Sequence, residues 1–178
     1  MRLGAIGIFL GLLLALVLVM TAFLPRQVER SGEVLLCVER ETAFPLFNEI
    51  AQVASWSSLI GGVPDEQRRL EGESGEGAVA VLEDEDARWV RLEIVESRPL
   101  EAVHYRFMTH QDQNARARVE LDEQTEGSHV TLTLNVDFQS FMGRWAIIFI
   151  RGALDDVIRE ELSGVRGYLD ERDQGCDT

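Results

Sequence analysis

The chain has 178 residues, 46% hydrophobic and 27% charged, with a formal net charge of −14. From Arg26 onward, 16 arginines (17 less Arg2) stand against 31 acidic residues, so that part carries −15. This excludes the basic footprint that nucleic-acid binding needs, and it is unsuited to adsorption on anionic lipid.

Leu3 to Leu24 is an uncharged apolar run of 22 residues. As a helix it would extend about 33 Å, enough to cross a hydrocarbon core. It exceeds the roughly 7–15 apolar residues of a signal peptide, and Thr21-Ala22-Phe23 is a poor cleavage site. The run therefore reads as an uncleaved transmembrane anchor over residues 1–25, ended by Pro25. A short basic head at Arg2 favours a single-pass membrane protein whose domain lies on the extracytoplasmic side. Gly7-x-x-x-Gly11 offers a face for weak pairing of such helices.

Gln27 to Arg40 reads as a first strand. Thr42 to Val53 reads as a short helix with Thr42 as N-cap and Pro45 in its first turn, and a further helical turn follows to Leu59. Ile60 to Gly77 is a Gly- and Pro-rich loop with room for an edge strand at Gln67–Glu71. Ala78–Leu82 is a short strand, followed by the acidic turn Glu83–Asp86, which lacks the ligand spacing of a calcium loop.

Four alternating runs come next: Arg88–Glu96, Leu100–Thr109, Ala115–Glu123 and Ser128–Phe138. Their period of two predicts an antiparallel meander with one wet face and one covered face. Gly143–Arg172 supplies the cover, an amphipathic helix with Ile147, Ile150, Leu154, Val157, Ile158, Leu162, Val165 and Leu169 on one stripe. Residues 173–178 form a polar tail.

The search for chemistry is mostly negative. There is no nucleophile elbow, zinc-protease, P-loop or dinucleotide motif. His104, His110 and His129 are isolated and read as surface residues, so no metal or other cofactor is expected. Cys37 and Cys176 have no metal-ligand spacing. Cys37 reads first as a small buried hydrophobe, with a disulfide to Cys176 as the alternative. Arg116 and Arg118 lie on the polar strand face and are expected to pair with Glu120 and Asp122. On the apolar face, Trp56, Val90, Leu92, Val103, Tyr105, Phe107, Ala117, Val119, Leu132 and Leu134 should point at the helix. Ile150, Leu154 and Val157 should meet them from the other side. These residues either pack a solid core or line a pocket for an apolar ligand, with Tyr105 as its polar handle.

The order is strand, two short helices, antiparallel strands, long helix. With Leu24-Pro25-Arg26-Gln27-Val28-Glu29-Arg30-Ser31, Phe47-Asn48-Glu49-Ile50, Trp56-Ser57, Gly77-Ala78, Ile94-Val95-Glu96-Ser97-Arg98-Pro99, Val103-His104-Tyr105, Ser128-His129-Val130-Thr131-Leu132 and Tyr168-Leu169, it resembles the SRPBCC or START-like superfamily. The likeness is to polyketide cyclase-like bacterial members with one N-terminal membrane helix. It implies an α+β helix-grip domain over residues 26–172, an antiparallel sheet curved round the long C-terminal helix. It also implies a cavity between sheet and helix for a lipid or other hydrophobic small molecule. Two other readings stay open. A cyclase or aromatase-like enzyme would need polar groups converging in the cavity, where only Tyr105 and Thr109 qualify. A cavity-free interaction module would act through its outer face or its membrane helix.

Overall fold

The computed structural model describes residues 11–13, 15–16, 19–21, 23–61, 63–83, 89–109, 114–138 and 141–172. Its elements are β1 (Gln27–Leu36), α1 (Arg40–Asn48), α2 (Ile50–Trp56), α3 (Ser58–Gly61), β2 (Arg68–Glu71), β3 (Val79–Glu83), β4 (Trp89–Arg98), β5 (Ala102–Thr109), β6 (Asn114–Gln124), β7 (Gly127–Asp137) and α4 (Phe141–Asp170). The seven strands form one antiparallel sheet in the order β1-β7-β6-β5-β4-β3-β2. Strands β2 to β7 are thus a plain meander, and the first strand closes on the last. Along β7 the burial alternates residue by residue from Gly127 to Leu134, as the period of two requires.

The long helix runs closest to β1 and β7 on one side and to α2 and α3 on the other. Two glycines set that distance. A Cβ on Gly32 of β1 would sit 2.5 Å from Ile158 Cγ2, and one on Gly164 of α4 would sit 2.6 Å from the Trp56 carbonyl oxygen. Side chains at these points would force the layers apart. Ile147, Leu154, Ile158, Leu162, Val165 and Leu169 of α4 are buried in the shared core, while Ile150 and Val157 are half-buried at its margin. Burying each such side chain stabilises the fold by roughly 1.5–3 kcal/mol.

Several expectations need correction. The first strand ends at Leu36 rather than Arg40. The helix expected from Thr42 begins at Arg40, with Glu39 and not Thr42 at the N-cap position, so Pro45 falls in the second turn. It also breaks at Glu49. That residue is extended and bridges Ser74, with Gly75 N–H donating to the Asn48 carbonyl and Ile50 N–H to that of Glu73. The Gly-rich loop competes for the backbone and divides one helix into two. Cys37 is disulfide-bonded rather than a free buried thiol. The other cysteine of the sequence, Cys176, lies outside the described residues.

The expected membrane span is described only in part, and the acidic turn only at Glu83. Among the described residues no helix is long and apolar enough to cross a membrane. The described residues from 11 to 21 are helical, with Leu12, Leu13, Leu16, Val19 and Met20 exposed. Thr21 is buried, and its hydroxyl accepts a 3.0 Å hydrogen bond from Trp145 Nε1 of α4.

Candidate functional site

The site is the space between the sheet, α2–α3 and α4. Its wall is built by alternation: Leu92 from β4, Tyr105 and Phe107 from β5, Ala117 and Val119 from β6, and Leu132 and Leu134 from β7. Each stands on the inner face because its neighbours in sequence point out. Val53, Trp56, Ser57 and Leu59 close it from the helical side, and Glu161 faces it from α4. Leu59 is 43% exposed, so the space reaches the surface at α3. The cavity measures about 40 Å³, room for about one water molecule.

Besides the buried Ser57, two polar groups sit in this apolar setting. The Tyr105 hydroxyl donates to the Phe47 carbonyl. Burial pushes its phenol well above the ordinary tyrosine range, and the nearby Glu161 carboxylate adds to that shift. Glu161 itself is only 5% exposed. Its Oε1 accepts from Ser58 Oγ at 2.6 Å and from the Leu59 backbone N–H at 3.0 Å. Its Oε2 accepts no hydrogen bond among the described residues. Trp56 is fixed by a 2.8 Å hydrogen bond from Nε1 to the Leu46 carbonyl and an edge-on contact with Phe47, centroids 5.4 Å apart.

The structure brings together Trp56, Leu92, Tyr105, Phe107, Ala117, Val119, Leu132 and Leu134 as the sequence suggests. It does not place the other expected residues on this wall. Val103 is fully buried in the core, and Val90 is 36% exposed at the start of β4. Ile150, Leu154 and Val157 pack elsewhere along α4, because the helix meets the cavity one to three turns later, at Glu161. Sequence reading missed Val53, Ser57, Leu59 and Glu161. Glu161 looks like part of the charged helix face, and only its position opposite Ser58 reveals it as internal.

Among the described residues the histidines carry no joint site. His104 Nδ1 lies 2.9 Å from Glu96, and His129 Nε2 lies 3.4 Å from Glu33. His110 lies outside the described residues. Thr109 pairs with Val90 at the end of β5, away from the cavity wall.

This geometry, a seven-stranded antiparallel sheet folded against one long C-terminal helix, has close counterparts among solved structures. A protein from Rhizobium leguminosarum superposes with a TM-score of 0.59 at 13% identity, covering 82% of this chain and 95% of its own. The fold is the helix-grip fold. Ginseng major latex-like protein 151 from Panax ginseng matches with a TM-score of 0.57 at 13% identity, over 81% of this chain and 98% of its own. DynU16, a protein in the dynemicin biosynthetic locus, matches with a TM-score of 0.51 at 11% identity, over 78% of this chain and 46% of its own. No family model matches the sequence, and no curated protein matches it. At these identities the likeness concerns the helix-grip fold alone.

Proposed function

We propose that this is a membrane-tethered SRPBCC-like domain that takes up a hydrophobic small molecule or lipid between its sheet and α4. The observation that carries this reading is the cavity wall itself. It is apolar from four strands and two helices, with one carboxylate, Glu161, inside it. Glu161 Oε2, which no described residue donates to, suits an amphipathic ligand with a hydroxyl or amine at one end, since a carboxylate oxygen accepts from such donors. Ligand entry requires opening at α3, a four-residue helix whose Leu59 is already at the surface. A small apolar cavity enlarges by displacing side chains or a short helix at its rim, and α3 is the shortest element touching it.

The tether rests on the run Leu3–Leu24 and on the apolar side chains that its described residues leave exposed. The extracytoplasmic placement is supported by the disulfide at Cys37, a bond that persists in oxidising compartments. A cyclase-like reaction is less favoured. The cavity wall holds Tyr105 and Glu161 but no His or Arg, and the tyrosine hydroxyl is already committed to Phe47.

A second reading, a cavity-free interaction module, draws on the volume of only about 40 Å³, since ligand sites usually measure about 300–1,000 Å³. The two separate by native mass spectrometry of the gently extracted full chain and by titration with a fluorescent fatty-acid analogue. The binding reading expects a co-purifying ligand or saturable uptake. Leu134→Ala should raise uptake by enlarging the cavity, while Leu169→Ala, buried off the wall, should not. Both cost about 2–5 kcal/mol of stability. No ligand, no uptake, or equal effects of the two substitutions on uptake would leave the interaction module standing.

A further inference from the structure

A second recess lies on the outer, polar face of the sheet. It is a groove of about 680 Å³ across β1, β7, β6 and β5, a size typical of small-molecule sites. Strand register fixes its chemistry. Arg106 stands directly opposite Arg116 on the neighbouring antiparallel strand, and one row along, His104 stands opposite Arg118. The residues between them, Tyr105 and Ala117, are buried on the inner side, so these four cationic or titratable side chains share the outer face.

Two of the four are engaged. Arg118 pairs with Glu120, and His104 with Glu96. Arg106 and Arg116 make no ion pair or side-chain hydrogen bond among the described residues. The carboxylate that faces Arg106 across β4, Glu93, lies 3.7 Å from Arg91 instead. The amide that faces Arg116 across β7, Asn135, donates to Glu29 at 3.2 Å. Like charges placed directly opposite each other weaken an antiparallel pair. In a chain with 31 acidic and 17 basic residues, a cross-strand pair of guanidiniums with no carboxylate between them is not what stability alone would select.

We propose that this groove binds a small oxyanion with two acidic groups, held between Arg106 and Arg116 and flanked by Arg118 and His104. Each planar guanidinium can engage phosphate or carboxylate oxygens in a two-bond fork. The ring of Glu29, Glu93, Glu96 and Glu120 confines the positive field to the centre, so a long polyanion such as nucleic acid is repelled while a compact dianion is accepted. The site is independent of the sheet–helix cavity, which lies on the other face.

The test is calorimetric titration of the full chain in a neutral detergent at low ionic strength. The probes are inorganic pyrophosphate, citrate and dihexanoyl phosphatidic acid below its micelle concentration. Saturable one-to-one binding of at least one probe is expected. Arg116→Gln should weaken it by about tenfold or more, the loss of one charge-assisted fork, and R106Q/R116Q should abolish it. R151Q/R166Q, which removes two exposed arginines of α4, should leave it unchanged. Without any anion, Arg116→Gln should raise the thermal midpoint, because the cross-strand repulsion is gone. That readout also shows that the variant folds. Uptake of pyrophosphate or citrate assigns the groove to a free anion, and uptake of phosphatidic acid alone assigns it to a lipid headgroup. Absence of saturable binding for all three probes, or an equal loss in R151Q/R166Q, overturns the proposal.

Discussion

Ser58 Oγ donates a 2.6 Å hydrogen bond to Glu161 Oε1, tying the exposed start of the short rim helix α3 to a buried carboxylate of the long helix α4. The Leu59 backbone N–H donates to the same oxygen at 3.0 Å. Both bonds therefore survive in Glu161→Gln, whose carbonyl oxygen can replace Oε1, and the cost should stay below about 1 kcal/mol. Glu161→Ala removes both hydrogen bonds to the charged carboxylate and should cost about 1–3 kcal/mol. Urea unfolding of the two variants checks the difference. Equal losses would mean that the carboxylate's charge, and not its acceptor oxygen, holds α3 in place.

Tyr105 gives the domain an alkaline limit. Its phenol is raised by burial first and by Glu161 second, so the folded state holds the proton more tightly than the unfolded chain. The stability this confers is complete below the unfolded tyrosine value of about 10 and is lost as pH rises above it, at about 1.4 kcal/mol per pH unit. Tyr105→Phe should remove that slope. At neutral pH it should cost about 1–3 kcal/mol, because the Phe47 carbonyl loses its buried donor. Unfolding free energies of the two proteins measured from pH 8 to pH 11 should converge as pH rises.

Most of the architecture was legible because the sheet is wet on one face. Leu92, Tyr105, Val119 and Leu132 could be placed on the inner side from alternation alone, and the stripe of α4 from its helical period. Helix boundaries near Glu49 were not legible, since the break comes from a bridge to Ser74 in a loop whose course no local pattern encodes. Glu161 and Ser58 lie 103 positions apart, and nothing in either neighbourhood signals that they meet. The facing of Arg106 and Arg116 depends on strand register, which alternation leaves undetermined by steps of two residues. The 36% exposure of Val90 was not legible either, because alternation assigns a face but not the depth of burial along it.

The glycines of α4 should divide sharply. A methyl group at Gly164 would lie 2.6 Å from the Trp56 carbonyl oxygen, a backbone atom that cannot swing aside. Gly164→Ala should therefore destabilise the fold by about 1–3 kcal/mol through overpacking. At Gly152 and Gly167 an added Cβ meets nothing within 4 Å. Alanine there should instead stabilise by about 0.5–1 kcal/mol, the usual gain over glycine inside a helix. Thermal unfolding of the three single variants checks both signs at once. A neutral Gly164→Ala would mean that α4 can shift away from α2 at no cost.

The disulfide at Cys37 follows directly on β1, the strand that lies closest to α4. A bond at that point restricts the unfolded chain, and its loss should cost about 2–5 kcal/mol. The full chain purified without reductant should resist alkylation at Cys37 until it is reduced. Adding reductant should lower its unfolding midpoint. Cys37→Ser should show the same lowered midpoint with or without reductant, since it cannot form the bond. The same experiment bears on where the domain resides. If protein from its native membrane carries a free Cys37 thiol that alkylates readily, the bond does not form there, and the extracytoplasmic placement loses its main support.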